Sequence, residues 1–473
     1  MTDLTDLTYL SAASLVAQFS ARTLSPVDVT EAILRKIARH DGVLNAFCLV
    51  DAAGALAAAR ASEARWSSGQ PRGPLDGVPC TIKDLFPAVG WPTRKGSQLS
   101  DPAELATEDA PATARLRESG AVLLGKTTTP EFGWKATGDS PLTGSTLNPW
   151  APGRTSGGSS AGAAASLAAG MGTLAVGTDG GGSIRIPASF CGVAGLKPTQ
   201  GLVPYYPRSA MGTLSHCGPM ARTVEDLALM LAVLSGTDCR DPYHGVPQRI
   251  DFRAGLDAGV RGLRIAYSPR LGYVRVDPEV AAAVERAARA FEAMGAHVEE
   301  VDPDFASAQA HFNTLWKAGA AHIVNGLDAA RHHLLDPGLR AAARDGLRMT
   351  ALDVATADVF RTRLGEQMGR FHEHHALLLT PTVAVPAIPV GTELSDPATE
   401  TEWIDWAGFS YPFNLTRQPA ASVPCGLTRA GLPIGLQIVG PLHADALVLR
   451  AARAYEAFAA PPAWPALASS TAR

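Results

Sequence analysis

A stretch of chain from Thr155 to Thr178 carries no charged side chain, and this limits how the region can fold. It is built mainly of Gly, Ala and Ser with little Leu, Ile or Phe, so it would partition into lipid only weakly. Small side chains do allow helices and strands to pack closely inside a protein. We therefore expect a buried, closely packed helix here and no membrane span.

Apolar runs of strand length alternate with helical stretches along much of the chain. Strands are predicted at 77–82, 121–124, 174–176, 263–267 and 297–301, and helices at 26–37 and 278–294. Such alternation predicts an α/β fold. We expect one large domain in which helices cover both faces of a mixed β-sheet. Within residues 1–473 we expect an N-terminal helical part (1–70), a core (71–235), a helical cover (about 305–375) and a return to the sheet (377–455).

The composition of the 473-residue chain argues against several classes of protein. Apolar residues make up 46% and charged residues 18%, which suits a large core and not a disordered chain. A formal net charge of −4 gives no reason to expect nucleic acid or an acidic membrane as the main partner. Six cysteines without a C-x-x-C pair, together with an acidic N-terminus, predict neither disulfides nor a signal peptide, and hence a cytoplasmic protein.

Two short motifs match known functional patterns in an unsuitable context. Residues Gly120–Thr127 satisfy the phosphate-loop pattern, but Ala121–Leu124 favours a buried strand over a loop that curls around phosphates. Residues Gly158–Gly162 satisfy the nucleophile-elbow pattern of α/β-hydrolases, centred on Ser160. That elbow follows a central strand, whereas the lead-in here contains prolines. An α/β-hydrolase-type esterase that uses Ser160 remains an alternative.

A third motif, Gly177–Arg185, places three glycines directly before Ser183 and after the apolar run Leu174–Val176. Glycines let successive backbone N–H groups converge on one point, which a β-carbon would obstruct. Such a nest beside a serine hydroxyl suits acyl transfer, in which negative charge develops on the carbonyl oxygen. By spacing alone, a glycine-rich turn with an incidental serine remains equally open.

Further sequence blocks accompany this motif over most of the chain. They are Pro79–Asp84, Gly125–Phe132, Gly157–Gly162, Cys191–Pro198, Gly218–Arg222, Thr380–Thr382, Pro412–Thr416, Ser422–Gly426 and Gly435–Gly440. In order from about residue 25 to 455, these blocks closely resemble the amidase signature family. The resemblance implies a single amidase-signature domain and an amidase that acts on linear amides, with no metal and no cofactor.

The resemblance also assigns roles by position. It implies that Ser183 is the nucleophile, Ser159 the bridging serine and Lys83 the base. It further implies that the backbone amides of Gly180, Gly181, Gly182 and Ser183 bind the oxyanion. Position 180 more often carries Thr, Ile or another larger residue in the family, so the glycine here is expected to alter the acyl pocket.

These residue types suit the chemistry. A serine hydroxyl becomes a good nucleophile only when a base takes its proton, and lysine can be that base only if burial makes it neutral. Lys83 follows the apolar run Val78–Ile82, which predicts a dry site. The chain holds seven lysines against 34 arginines, and arginine does not deprotonate in proteins. Asp179 and Arg185 flank the nucleophile loop and are expected to pair as structural supports.

Histidines and aromatic residues supply further candidates. Candidates for the substrate pocket are His216, Trp406, Phe409 and Tyr411. His372 and His375 are spaced as a helical pair, but the sequence places no third metal ligand nearby. A solvated helix end is therefore favoured over a metal site.

The family includes free-standing amidases and the amidotransferase subunit that supplies ammonia for charging tRNA with glutamine. That subunit carries an aspartate for the amino group of glutamine where this chain has Ala407, with Asp405 two positions away. The apolar, aromatic surround favours a small-molecule aryl or alkyl amide as substrate, with anilides, carbamates and esters open. A monomer or homodimer is expected, and a glutamine-hydrolysing amidotransferase A-type subunit remains the alternative.

Overall fold

The computed structural model describes residues 7–245, 250–305, 307–459 and 463–467. The strands are, in chain order, β1 (Phe47–Val50), β2 (Pro79–Lys83), β3 (Val122–Thr127), β4 (Asp139–Ser140), β5 (Gly144–Ser145), β6 (Leu147–Asn148), β7 (Ala151–Thr155), β8 (Leu174–Asp179), β9 (Ala194–Lys197), β10 (His216–Ala221), β11 (Arg264–Tyr267), β12 (His297–Glu300), β13 (Leu377–Pro381), β14 (Ala420–Leu427) and β15 (Pro433–Val439).

The α-helices in these residues lie between the strands. They are α1 (Ala12–Ala21), α2 (Pro26–Leu44), α3 (Ala52–Ser68), α4 (Pro111–Glu118), α5 (Ala161–Ala168), α6 (Arg185–Cys191), α7 (Val224–Leu234), α8 (Pro278–Ala293), α9 (Ala308–Asn325), α10 (Pro337–Gly346), α11 (Ala351–His374), α12 (Pro412–Leu415) and α13 (Asp445–Phe458). Short 3₁₀ turns lie at Glu131–Gly133, Gly212–Leu214, Ala329–Leu334 and Trp403–Asp405.

One 11-stranded sheet runs through the molecule in the order β1-β3-β2-β8-β10-β9-β14-β15-β13-β11-β12. Strand β2 is parallel to β3 and β8, and β11 is parallel to β12 and β13. The pairings that join β8 to β13 are antiparallel, as is the edge pairing of β1 with β3. The fold is therefore a single large domain with a mixed sheet, and the α/β class is the one that the alternation of segments predicted.

Both faces of this sheet are covered by apolar side chains. Strand β13 shows why: Leu377 and Leu379 belong to one buried cluster, while Leu378 belongs to the cluster on the opposite face. Successive side chains of a strand point to opposite faces, so a strand buried on both sides reads as a continuous apolar run. Helices α7, α8 and α13 supply the first cluster, and helices α9 and α11 supply the second.

Helix α2 begins as its sequence predicted. The Ser25 hydroxyl accepts from the Val27 amide at 3.0 Å, Pro26 stands in the first turn, and Asp28 follows as the early acid. A capping oxygen satisfies an amide that has no partner inside the helix. The N-terminal boundary of this helix is therefore set by local chemistry that can be read from the sequence.

The charge-free stretch contains a shorter helix than expected. Helix α5 covers only Ala161–Ala168, because Gly170 adopts a φ of 66° and the chain then turns into β8. Close packing does explain its small residues, since a methyl group on Gly162 would overlap the carbonyl oxygen of Ala46. Across the described residues, every helix is too short or too polar to cross a bilayer.

The glycine-rich phosphate-loop pattern is part of the sheet. Strand β3 carries it, with its glycine and lysine inside the strand and every residue buried. The Lys126 amine donates to Asp84 at 3.2 Å and to Thr93 at 2.6 Å. A loop that could wrap phosphates is therefore absent at residues 122–127.

Candidate active site

The end of strand β2 carries Lys83 into the interior between β3 and β8, and the side chain is fully buried. Its Nζ lies 2.7 Å from Ser159 Oγ, 3.1 Å from Ser160 Oγ and 2.7 Å from Thr178 Oγ1. Burial lowers the pKa of Lys83 well below its usual value, and the charge of Asp179 opposes this shift without reversing it. The amine is thus favoured in its neutral form.

The three hydroxyls around this amine are not equivalent. Ser160 Oγ donates to the Thr178 carbonyl at 3.2 Å, so towards Lys83 it can only accept. A neutral amine offers two N–H donors and one lone pair. The second N–H and the lone pair therefore face Ser159 and Thr178, whose hydroxyls can each donate or accept. Lys83 can take a proton from Ser159 within these contacts.

Ser159 lies in the turn before α5, after two glycines, and the Gly158–Ser159 peptide bond is cis. The side chain is 1% exposed. The segment at Gly133 passes close by, since a methyl group there would lie 3.1 Å from Ser159 Oγ and 3.0 Å from Leu85 Cδ1. Ser159 is therefore enclosed by backbone on one side and by Leu85 on another.

Ser183 lies in the loop that connects β8 to α6, directly after Gly182, whose φ is 122°. The Ser160 amide donates to the Ser183 carbonyl at 3.0 Å and so joins this loop to the turn that holds Ser159. Ser183 keeps 7% of its surface exposed. The structure thus brings Lys83, Ser159 and Ser183 into one region.

Asp179 organises the loop around Ser183. Its carboxylate accepts from the Gly182 amide at 2.8 Å and from the Ile184 amide at 3.2 Å. Arg185 pairs with it at 2.8 Å, and neither side chain is exposed. The Arg185 charge and hydrogen bonds hold the pKa of Asp179 below its usual range despite burial. The pairing expected from the sequence is present.

The four amides expected to bind an oxyanion are not all free. The Gly182 N–H donates to the Asp179 carboxylate, so it is not free to bind an oxyanion. In the described part of the chain, the amides of Gly180, Gly181 and Ser183 have no hydrogen-bond partner. These three remain available to a developing oxyanion. The sequence motif could not reveal that an aspartate three residues earlier takes one of the donors.

Ser160, the alternative nucleophile, is fully occupied. Besides its contact with Lys83, its hydroxyl donates to the Thr178 carbonyl and accepts from the Thr178 amide, both at 3.2 Å. The side chain is 0% exposed. The strand before it, β7, pairs with β6 and makes a bridge from Arg154 to Pro389, and it lies outside the main sheet. The geometry of a nucleophile elbow is absent here.

A cleft of about 1300 Å³ lies where Leu85 and Phe132 reach the surface. Its apolar lining is Leu85, Leu99, Leu105, Phe132, Tyr205, Met211, Ile323 and Leu327. Charged and polar residues at the same cleft are Lys95, Asp101, Glu104, Glu108, Arg208 and His322. Leu85 of this lining and Ser159 both lie near Gly133, where a methyl group would be 3.0 Å from Leu85 Cδ1 and 3.1 Å from Ser159 Oγ, so one wall of the cleft comes near Ser159. A hollow that combines apolar side chains with polar groups is typical of a site for a small organic molecule.

The aromatic residues predicted to line the pocket lie in the core instead. Trp406, Phe409 and Tyr411 are at most 1% exposed and do not line this cleft. Trp406 stacks on Phe190 with ring centroids 5.9 Å apart, and it also borders a separate hollow of about 560 Å³. Tyr411 packs on Phe312 of α9 with ring centroids 5.1 Å apart. The local sequence could not distinguish such core packing from the lining of a pocket.

His216 is likewise buried rather than a pocket residue. It lies on β10 opposite Asp179, and its Nδ1 is 2.8 Å from the Leu214 carbonyl. Burial lowers its pKa well below the usual value, so the ring is neutral. Nε2 has no hydrogen-bond partner among the described residues. This histidine supports the strand pair behind the nucleophile loop.

Two side chains that the sequence did not single out lie directly on that loop. Phe312 and Trp316, both on α9, are in contact range of Gly181 and Gly180. They are more than 120 residues from the glycines in the chain, and nothing in their local pattern distinguishes them from core residues. Their role emerges only from the packing of α9 against the sheet.

The histidine pair near the end of α11 holds no metal-like arrangement. His372 Nδ1 lies 2.9 Å from the His375 carbonyl, and His375 Nε2 lies 2.8 Å from Glu299. Both rings are therefore used in helix-end contacts, but His375 is buried, so this end is less solvated than the sequence indicated.

One trio of carboxylates in the described residues has the spacing of a metal site. Asp139, Asp336 and Glu393 place oxygen atoms within 4.8 Å of one another. The Lys135 amine contacts all three, at 2.7, 2.9 and 2.7 Å. Those contacts raise the pKa of Lys135, so its positive charge satisfies the trio.

The comparisons with known proteins agree with this arrangement. The family model described as Amidase matches residues 28–449. The chain belongs to the amidase signature family. It is 37% identical to an acylamidase of Rhodococcus erythropolis, over 96% of each chain. It is 38% identical to the A-type subunit of the glutamyl-tRNA(Gln) amidotransferase of Myxococcus xanthus, over 96% of this chain and 97% of that one.

A solved structure supports the same family assignment. The fold superposes on a bacterial aryl acylamidase of the amidase signature enzymes with a TM-score of 0.89 and 32% identity, covering 96% of both chains. The chain is therefore an amidase-type hydrolase. Its relatives include both acylamidases and amidotransferase subunits, so membership alone leaves the substrate to be decided by the site.

Proposed function

We propose that this chain is a free-standing amidase that cleaves the C–N bond of small apolar or aryl amides through an acyl-enzyme on Ser183. The observation that carries the proposal is the position of the buried Lys83 amine, 2.7 Å from Ser159 Oγ and beside the loop that bears Ser183. Burial lowers the pKa of this amine and so favours its neutral form. A base of this kind makes a serine hydroxyl nucleophilic.

In the acylation step, Ser183 Oγ attacks the amide carbonyl carbon and passes its proton to Ser159, whose own proton moves to Lys83. The oxyanion is bound by the free amides of Gly180, Gly181 and Ser183. Fixed donors of this kind contribute about 10²- to 10³-fold each in comparable enzymes. Because Asp179 and Arg185 hold the loop, these donors need little rearrangement during the reaction.

The tetrahedral intermediate collapses when the leaving nitrogen is protonated. Lys83 returns the proton through Ser159, the C–N bond breaks, and a neutral amine departs. Water then attacks the acyl carbon, gives its proton to the same relay, and Ser183 recovers its proton as the carboxylic acid leaves. The reaction consumes one water and needs neither a metal nor an organic cofactor.

The substrate class follows from the cleft. The apolar side chains of its lining, Leu85, Leu99 and Phe132 among them, can pack against an aryl or alkyl leaving group. The named activities of the acylamidase relative and the aryl acylamidase structure support the same class. Carbamates and aryl esters present a similar acyl carbon and are expected as additional substrates.

The amidotransferase alternative requires a carboxylate free to bind the amino group of glutamine. Asp405 accepts from Gln309 Nε2 at 2.5 Å and from the Thr401 amide at 2.8 Å, and so serves as a turn cap. Ala407 is 0% exposed. These contacts favour the free-standing amidase over a glutamine-hydrolysing subunit.

The test uses the purified protein alone, as monomer or homodimer. A fluorophosphonate probe is expected to label Ser183, identified by mass spectrometry of the labelled peptide. Para-nitroacetanilide and related anilides are expected to be hydrolysed without ATP, glutamine or a second protein. The variants Ser183→Ala and Lys83→Ala should each lose labelling and turnover.

Other outcomes would reject the proposal. Label on Ser160, with turnover retained in Ser183→Ala, would support the esterase alternative. Activity that appears only with glutamine, ATP and a partner subunit would support the amidotransferase.

A further inference from the structure

The nucleophile loop and helix α9 have complementary surfaces. A methyl group added to Gly180 would lie 2.9 Å from Cζ3 of Trp316, and one added to Gly181 would lie 2.8 Å from Cζ of Phe312. Such distances are shorter than ordinary contacts between carbon atoms, which are about 3.5–4.0 Å. The two rings therefore occupy the space that side chains on the loop would need.

Trp316 is held in this position from several sides. Its Nε1 donates to the Trp134 carbonyl at 3.0 Å, its ring stacks on Phe312 at 5.3 Å, and Trp403 packs edge-on at 5.9 Å. The side chain is 5% exposed. With so many contacts, the indole forms a fixed wall.

The location of that wall relates it to the reacting atoms. Trp134 directly follows Gly133, which lies against Ser159 Oγ. The indole of Trp316 therefore extends from the segment beside Ser159 to Gly180, the first residue of the amide cradle. Its Nε1 end faces Trp134, on the side of Ser159, and its Cζ3–Cη2 edge faces Gly180.

We propose that Trp316, with Gly180 as its complement, sets the size of the acyl group that this enzyme accepts. The inference rests on the proposed function, because it presumes attack by Ser183 on an amide carbonyl. The leaving nitrogen must receive its proton from Ser159, so the acyl group takes the other side of the carbonyl, towards the Cζ3–Cη2 edge of Trp316 at Gly180. The preferred substrates are therefore short-chain acyl amides, acetyl or propionyl, of bulky aryl amines.

The first test measures kcat/KM for para-nitroanilides with acyl chains from acetyl to hexanoyl. The wild type should prefer the short chains. Trp316→Leu should raise the ratio of the hexanoyl to the acetyl kcat/KM by about tenfold or more. Each methylene group that a pocket can accept changes kcat/KM by about that factor. Trp316→Phe, which keeps an aromatic ring, serves as a second variant in case the leucine variant folds poorly.

Trp150→Leu is the matched control. The indole of Trp150 also donates to a backbone carbonyl, that of Cys191 at 2.8 Å, and also packs on a glycine, Gly192. It lies away from the amide cradle. Its replacement should lower stability while leaving the acyl-chain ratio unchanged.

The second test asks whether the two positions act as a pair. Gly180→Ala alone should lower kcat/KM for every acyl chain by about tenfold, because its methyl group collides with the ring. Combining it with Trp316→Leu should recover most of that loss. Additive losses in the double variant would show that the positions are independent and would overturn the pairing.

The outcomes separate this inference from the proposed function. If anilides are hydrolysed but Trp316 variants leave the chain-length ratio unchanged, the inference is wrong and the proposed function stands. If no anilide is hydrolysed, the rates at which methyl- and hexyl-fluorophosphonates label Ser183 test the same wall without turnover. If Trp316 variants leave the ratio of these two rates unchanged, the inference is again wrong. Absence of both turnover and label rejects the proposed function itself.

Discussion

Arg185 binds both carboxylate oxygens of Asp179, through Nε at 2.9 Å and Nη2 at 2.8 Å, in a place that solvent does not reach. The same guanidinium donates to Gln437 and Asn414 at 2.7 Å. The pair thereby joins the nucleophile loop to the C-terminal part of the chain. This connection lets residues far apart in sequence hold the amide cradle in one shape.

The first prediction concerns this buried pair. Asp179→Ala leaves the Arg185 charge buried without its partner, which is expected to lower the free energy of unfolding by about 3–5 kcal/mol. Urea denaturation provides the measurement. Glu31→Gln removes the exposed pair Glu31–Arg35 and should cost at most about 1 kcal/mol. Equal effects of the two substitutions would contradict the proposed importance of burial.

The second prediction concerns the pH dependence of activity. The relay needs a neutral Lys83, and burial lowers the pKa of this amine. As the pH decreases, kcat/KM should fall where Lys83 becomes protonated, at a pH well below 10.5, and activity should be maintained above that pH. A pH profile with an anilide substrate measures this. A rising limb centred near 10.5 would contradict a base whose pKa is lowered by burial.

The third prediction uses the same residue to test stability. In the unfolded chain Lys83 regains its ordinary pKa of 10.5, so between the lowered native pKa and 10.5 the unfolded state binds more protons. Lowering the pH in this window therefore destabilises the wild type. Lys83→Met removes that contribution, and the difference in Tm, variant minus wild type, should grow as pH falls from 10 to 7. A difference that is independent of pH would argue against a buried neutral amine.

The fourth prediction separates Ser160 from Ser183. Ser160→Ala removes one acceptor of Lys83 and a contact to the Thr178 backbone but leaves the route from Ser159 to Lys83 intact. We expect turnover to fall by about tenfold to a hundredfold, with fluorophosphonate label still on Ser183. Complete loss of labelling, in a protein that remains folded by circular dichroism, would show that Ser160 takes part directly.

The fifth prediction concerns the trio of carboxylates around Lys135. Because its ammonium contacts all three, we expect dialysis against EDTA to leave the rate unchanged. Lys135→Met should lower stability, since three carboxylates would then repel one another without a cation. Reversible loss of activity with EDTA, restored by a divalent cation, would indicate that a metal displaces the lysine.

The parts of the fold that follow local rules could be predicted from the sequence. The capped start of α2, the buried strand before Lys83 and the strand that enters the triple glycine lie where the pattern places them. Helix α5 is shorter than predicted, because lack of charge indicates burial but does not distinguish helix from strand.

In the candidate site, too, the residues that belong to motifs could be predicted and the residues of the pocket could not. Lys83, Ser159 and Ser183 were predicted through motifs, and the structure brings their segments together. The pocket was not predicted: Trp406 and Tyr411 belong to the core. The apolar character of a side chain does not reveal whether solvent, substrate or another helix lies opposite it.

The packing of α9 on the loop has a consequence for how such enzymes diversify. The segments that carry the chemistry all fall between Lys83 and Arg185, whereas the wall formed by Trp316 comes from a stretch well over a hundred residues later. Related enzymes can therefore change their substrate through a few substitutions in α9. The proposed relay of Lys83, Ser159 and Ser183 would not need to change, so laboratory evolution towards new acyl groups should begin in α9.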